Sequence, residues 1–411
     1  MVRRALRPFQ VTYCLTILLV ALAFLPLGGA TTPSGSAHPL VAIGDVHGDF
    51  KDFCGILQQV GLIDEQHHWT GGKATLVQVG DLIDRGPKSR EVLDLMISLE
   101  EEAGAAGGRV VPLMGNHEVM NLMGDLRYVP PETYASFVDS ESEKRRESAY
   151  KEYLEWRKSH PQVLAELYNP VLPETEAEWM TKHPPGFLEQ RDAFGPKGRY
   201  GKWLRQRSAV AMMSGVIFLH GGISPEVASL TLDDINSRIR DEIHQYDELR
   251  QYLTDANVLL PYFTLQEAVG VAQAELIAER KSHVPSNETR QAKILQLLGL
   301  NNWLCVREDG PLWFRGYDRW SEDEGLPQVE RILGAYSATN IVVGHTVQKN
   351  GTIRSRFGGR VFLIDTGMLS TYYPGGRASA LEIGGDGRFE QLYLGQRVVS
   401  LREKVSQSVL N

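Results

Sequence analysis

Apolar residues gather in short dense runs, and each of five such runs closes on a glycine beside a polar residue: LVAIG (40–44), TLVQVG (75–80), RVVPLMG (109–115), GVIFLHG (215–221) and NIVVGH (340–345). Short runs of β-branched and aliphatic residues predict strands. Between the first three, DFKDFCGILQQVGL (49–62) and KSREVLDLMISLEEE (88–102) space their apolar residues three and four apart, the period of a helix with one buried face. Strand alternating with helix predicts an α/β layered fold. Three later runs, RVFLID (360–365), SALEIG (379–384) and FEQLYLG (389–395), are separated by short turns and predict a second, more antiparallel sheet packed on the first. The class expected is therefore α/β, a two-sheet β-sandwich flanked by helices. The stretch from about 125 to 201 holds charge-laced helical segments and no strong strand run, so it reads as an inserted helical cap. A second helical insertion is expected over about 230–300.

The amino terminus differs from the rest. Met1 to Ala30 carries Arg3, Arg4 and Arg7, no acidic residue, an apolar run from Val11 to Leu27 and then Gly28, Gly29 and Ala30, the three parts of a signal peptide or retained signal anchor. A linker (31–39), a main domain (40–397) and a tail (398–411) are expected to follow. The localisation expected is the secretory pathway, lumenal or secreted, with organelle import or a signal-anchored membrane form as alternatives. Over 411 residues the chain is 42% hydrophobic and 23% charged, a globular composition. A net charge of −8 speaks against the basic surface that nucleic-acid binding needs. No membrane contact beyond the amino-terminal segment is expected. Of three cysteines, Cys14 falls in that segment, which leaves no disulfide framework; Cys54 sits on an apolar helix phase and reads as a small buried hydrophobe.

The strand ends carry the chemistry. Asp45 and His47 lie in GDVHGD, Asp81 in GDLIDRG, Asn116 in GNHE, His220 in LHGG and His345 in VVGHT. A lone Asp caps turns and a lone histidine usually satisfies a core hydrogen bond. Together, carboxylate, amide and imidazole ligands suit two divalent first-row ions about 3.5–4 Å apart with a shared carboxylate between them. Manganese, iron and zinc all accept this set, and availability decides among them.

These motifs in this order resemble the metallophosphoesterase superfamily, and the DRG ending of the second is similar to its phosphoprotein phosphatase branch. GNHEVMNLMGDLRYV and DGPLWFRGY resemble the Shewanella-like protein phosphatases. The resemblance implies a calcineurin-like metallophosphoesterase fold over 40–397 and hydrolysis of phosphate monoesters at a dinuclear site. It assigns Asp45, His47 and Asp81 to one ion and Asp81, Asn116, His220 and His345 to the other, with hydroxide between the ions as nucleophile. It makes His117 the general acid, Asp84 the group that fixes its tautomer, and Arg85 a phosphate-binding fork; Arg315 is a second fork, and Glu118 supports the ligands rather than joining them. Tyr128, close in sequence to His117, is read either as an aromatic wall of the substrate pocket or as a residue that packs the cap. Two departures stand out. The chain reads Gly344-His345-Thr346-Val347 where many superfamily members have a second histidine, and IDTGMLSTYYPGG replaces the SAPNYC segment of the eukaryotic branch. The substrate expected is a phosphoprotein or phosphopeptide, on tyrosine or on serine and threonine, and no regulatory subunit is indicated. A dinucleoside polyphosphate or nucleotide hydrolase is the second enzyme reading, and a metal-free scaffold the last.

Overall fold

Strand β1 (Leu40–Ile43) explains the unbroken apolar runs. Leu40 and Ala42 point into one core, Val41 and Ile43 into another, so no position is left for a polar residue. The computed structural model describes residues 39–167, 171–282 and 287–397; the predicted signal segment, nearly all of the linker and the predicted tail lie outside the described residues.

In the first sheet β1 pairs in parallel with β2 (Thr75–Gln78), and β2 with β3 (Arg109–Pro112). The crossovers are helices α1 (Phe50–Gln59) and α2 (Ser89–Ala105). Pro112 cannot donate to a ladder, and β3 is the edge strand. The second sheet begins with the hairpin β4 (Val210–Met213) and β5 (Val216–Leu219) and continues in parallel through β6 (Asn340–Val343) to β8 (Val361–Leu363), with β7 (Arg354–Arg356) antiparallel at its edge. Strands β9 (Ser379–Ile383), β10 (Phe389–Tyr393) and β11 (Gln396–Arg397) complete the first sheet, β9 lying antiparallel to β1 with Leu40 opposite Ile383. The two sheets enclose a core that includes Ala42, Val77 and Val79 from one side and Phe218, Val342 and Phe362 from the other.

The sandwich is as the runs predict, but its strands are dealt differently. GVIFLHG and NIVVGH belong to the second sheet, whereas SALEIG and FEQLYLG belong to the first. Both sheets are mixed, because β1 recruits its antiparallel neighbour from the far end of the chain. That pairing is non-local and leaves no mark on local periodicity.

Between α3 (Asn116–Met123) and β4 the described residues form helices without strands. Helix Ser142–Ser159 buries Ala149, Tyr153 and Trp156, one stripe at helical spacing, and turns its charged residues to solvent. Helix Leu232–Asp255 buries Ile235, Ile239, Ile243, Tyr246, Leu249 and Leu253 in the same way, and its Tyr246 hydroxyl donates to the carbonyl of Met123 at the end of α3. Cys54 and Cys305 are free and buried. Among the described residues no helix is long and apolar enough to cross a membrane.

Candidate active site

The functional side chains stand on the loops that leave the carboxyl ends of β1, β2, β3, β5 and β6, where open α/β sheets gather ligands. His47, Asp81, Asp84, Arg85 and His345 all hold left-handed backbone, with φ between 49° and 70°. Non-glycine residues avoid this region, so strain is concentrated where these side chains must be aimed. Clearance comes from glycine: a Cβ on Gly344 would lie 2.3 Å from Asp45 Oδ1, and one on Gly86 2.2 Å from the His47 carbonyl. Glu118 fixes the Asp81 loop, accepting from the backbone N–H groups of Asp81, Leu82 and Gly115 at 2.8 Å each.

One oxygen of Asp81 is the centre of the cluster. Asp81 Oδ2 lies 3.2 Å from His220 Nε2, 3.7 Å from His47 Nε2 and 3.9 Å from His117 Nε2. Asp45 Oδ2 is 3.7 Å from His47 Nε2, Asn116 Oδ1 is 2.9 Å from His220 Nε2, and His345 Nδ1 is 3.1 Å from the same nitrogen. Two groups of possible ligands, His47–Asp81–His117 and Asp81–His220–His345, thus share Asp81.

Three of the histidines are oriented as metal ligands are. His47 Nδ1 faces the Ile83 carbonyl at 3.0 Å, His220 Nδ1 the Val79 carbonyl at 3.0 Å, and His345 Nε2 the Trp313 carbonyl at 3.2 Å. A carbonyl only accepts, so these nitrogens carry protons and the opposite ones turn lone pairs inward. Lone pairs of His220 and His345 facing each other, beside buried carboxylates, form a donor set that fits a divalent cation. Burial, then the charges of Asp365 and Asp81, push the Asp45 carboxyl well above its usual range; burial and Asp81 carry Glu118 up to about 7.

His117 is held differently. Its Nδ1 lies 2.7 Å from Asp84 Oδ2, a carboxylate instead of a carbonyl. Burial disfavours its charge, but Asp81 and Asp84 outweigh burial and hold the imidazole above its ordinary pKa. Asn121 Nδ2 donates to the other oxygen, Asp84 Oδ1, at 2.9 Å.

Arg85 borders the cluster. Its Nη1 contacts His47 Nε2 and donates to the Tyr373 hydroxyl, and its guanidinium carbon lies 5.6, 5.3 and 5.5 Å from the ring centres of Tyr128, Tyr372 and Tyr373. The Tyr128 ring is 5.1 Å from that of His117. Arg315 lies beside the His345 loop, where its Nη1 donates to the His345 carbonyl at 2.9 Å and to Thr346 Oγ1 at 3.0 Å. All twelve side chains singled out from the sequence, Glu118 included, therefore fall in one region: Arg85 and Tyr128 lie by His117, and Arg315 sits beside the His345 loop.

The calcineurin-like phosphoesterase family model matches residues 38–349. The chain belongs to this family. The phosphoesterase is similar to Shewanella-like protein phosphatase 1 of Plasmodium berghei, 26% identical over 81% of this chain and 68% of the relative. It is similar also to Shewanella-like protein phosphatase 2 of Arabidopsis thaliana, 32% identical over 50% of this chain and 52% of the relative. Among solved structures, the cold-active protein-tyrosine phosphatase of a psychrophilic Shewanella species aligns with a TM-score of 0.55 at 26% identity, over 89% of this chain and 80% of that one. The phosphoesterase is thus a metal-dependent hydrolase whose fold is the one its motifs resembled.

Sequence reasoning missed four contributors. Asp365, buried against Asp45, ends the run RVFLID as the ligands end theirs, and that shared strand-end position could have singled it out. Tyr372 and Tyr373 lie in the segment noted only for lacking SAPNYC. Asn121 stands one turn beyond His117 on α3, so helical spacing places it on the same face.

Proposed function

We propose that this phosphoesterase is a phosphoprotein phosphatase whose metal site holds two divalent ions, one at Asp45, His47 and Asp81 and one at Asp81, Asn116, His220 and His345. The observation that carries the reading is the His117–Asp84 pair standing beside the shared Asp81 oxygen with Arg85 at its flank. When bound, the ions supply hydroxide at neutral pH and Lewis-acid stabilisation of phosphoryl oxygens. The chain does the rest. Arg85 presents a planar fork to the phosphoryl oxygens, and Arg315, beside the His345 loop, is the second. As the bond from phosphorus to the leaving oxygen breaks, His117 Nε2 gives that oxygen its proton, while Asp84 keeps the Nδ1 proton in place and stabilises the imidazolium.

Phosphotyrosine over phosphoserine is the finer reading. Supporting it are Tyr128 and Tyr372, 40% and 49% exposed, whose rings both lie near the Arg85 guanidinium, where a phenyl leaving group would meet aromatic surface. A structural neighbour named as a tyrosine phosphatase supports it too. Entry into the secretory pathway is part of the same proposal and rests on residues 1–30; a mature amino terminus near Thr31 in the secreted fraction is the expected result, and an intact Met1 in the cytosol overturns it.

The test is a chelated sample to which manganese, iron or zinc is returned, with initial rates on a phosphotyrosine peptide, a phosphoserine peptide and a dinucleoside tetraphosphate. Metal-restored hydrolysis of the peptides, fastest on phosphotyrosine, is the expected outcome. Preference for the dinucleotide moves the function to nucleotide hydrolysis, and silence on all three leaves the scaffold reading.

A further inference from the structure

A polar chain runs from the inserted helices to the catalytic histidine. Gln190 lies on helix Phe187–Phe194 and is excluded from solvent. Its Nε2 donates to Asn121 Oδ1 at 2.9 Å; Asn121 Nδ2 donates to Asp84 Oδ1 at 2.9 Å and to the His117 carbonyl at 3.1 Å; Asp84 Oδ2 takes His117 Nδ1 at 2.7 Å. The next residue of the helix, Arg191, donates from Nη1 to the Asn121 carbonyl at 3.2 Å, so the insertion holds Asn121 by side chain and backbone.

The direction of these bonds matters more than their number. An amide side chain can turn over and exchange its donor for its acceptor, and an Asn121 turned over would set an oxygen against the Asp84 carboxylate. Asp84 and the His117 carbonyl, which only accept, forbid that turn, and Gln190 Nε2 supplies the donor that the buried Asn121 oxygen then needs, its own Oε1 having no partner among the described residues. With Asn121 fixed, both Asp84 oxygens are committed, one to Asn121 and one to His117, and the carboxylate cannot rotate without losing both. Asp84 itself holds φ 70°, a conformation that relaxes unless its surroundings determine it. The whole chain is buried, where each bond polarises the next and an unpaired member is costly.

We propose that Gln190 is a positioning residue for proton transfer: through Asn121 and Asp84 it aims the His117 imidazole at the leaving oxygen. The inference rests on the reading of His117 as general acid. Gln190 and Asn121 do not reach the reacting atoms; the proton that leaves is the one on His117 Nε2, and the Nδ1 proton stays on the Asp84 side.

An alkyl or phenyl leaving group, whose alcohol has a pKa of about 10 or more, needs the proton, whereas 2,4-dinitrophenolate leaves without it. The experiment measures kcat and KM of the metal-loaded enzyme on phenyl phosphate and 2,4-dinitrophenyl phosphate for the parent, Gln190→Met, Asn121→Leu and His117→Asn. Gln190→Met keeps length and removes the donor; Asn121→Leu breaks the same chain from the catalytic side and decides the matter if the first variant does not fold. For Gln190→Met, kcat on phenyl phosphate is expected to fall on the order of tenfold, a fraction of the roughly 10²–10⁴ that a general acid supplies, with KM and the dinitrophenyl rate within about twofold. Equal losses on both esters would make Gln190 merely structural, and no loss on either would remove it from the machinery; each overturns the inference. His117→Asn separates the two levels. If it slows both esters equally, the general-acid reading falls and this inference with it. If it slows only phenyl phosphate while Gln190→Met and Asn121→Leu do not, only the role of Gln190 falls.

Discussion

Asp45, Asp81, Glu118 and Asp365 are four buried carboxyl groups in one site. Burial and then a neighbouring carboxylate raise three of them; Asp81 alone is held well below its range, because His220, His117 and His47 surround it and outweigh its burial. Asp81 is thus the charge at the centre of the site, and His117 differs from His47, His220 and His345 in turning its outward nitrogen to a carboxylate, Asp84, and not to a carbonyl. The two should part on substitution. Asp81→Asn is expected to abolish turnover and release metal, whereas His117→Asn should lose roughly 10²–10⁴ in kcat on a phenyl ester and keep its metal. Metal content by mass spectrometry after gel filtration reads the difference, and equal loss of metal in both variants would overturn the division of roles. At this scale the sequence was most informative. A candidate ligand at the end of an apolar run needs only its own strand to be singled out, so Asp45, His47, Asp81, Asn116, His220 and His345 could be picked from the sequence, and the structure brings the six together. Gln190 was not, because its meaning comes from a partner 69 residues away and its own segment, FLEQRDAF, reads as a surface helix.

At the level of elements, the runs marked where strands end, and that is where function resides. What they could not show is how closely those ends approach. Gly344, at the end of β6, comes so near Asp45 at the end of β1 that a single methyl would lie 2.3 Å from the carboxylate oxygen. Gly344→Ala is therefore expected to fold, since β6 itself is untouched, yet to displace Asp45 and weaken metal binding by about 10–100-fold, the usual effect of disturbing a ligand's support. Metal titration followed by activity checks this, and unchanged affinity would show that Asp45 has room to move. A second link is Glu242 on helix Leu232–Asp255, which accepts from the N–H groups of Leu304 and Cys305 at 2.8 and 2.9 Å and so pins the segment leading to Arg315. Glu242→Ala leaves two buried donors unpaired and should cost about 2–4 kcal/mol in urea unfolding, whereas a loss under about 0.5 kcal/mol would show the segment is held otherwise. The helical character of both insertions was legible from charge-laced periodicity; their contacts with α3 were not, because a helix pattern records which face is buried and not against what.

For the whole molecule, the layered class followed from local pattern, but sheet membership did not. Leu40 pairs with Ile383, and that choice is made by the closing of the sandwich. The same topology gives the metal site a mechanical role. Asp45, His47, Asp81 and Asn116 leave strands of the first sheet, whereas His220 and His345 leave β5 and β6 of the second. On the proposed assignment a bound ion would therefore be held by both sheets at once and would tie them together across the inner core. Chelation should then lower global stability as well as activity. At free metal near a hundredfold over Kd, binding contributes about 2.7 kcal/mol, which for a chain of this size is a rise in Tm of about 3–5 °C. The shift should return with added metal and be absent in Asp81→Asn, whose junction has lost its shared ligand. If chelation abolishes activity and leaves Tm unchanged in the parent, the ions do not join the sheets, and the ligands from β5 and β6 must be reassigned.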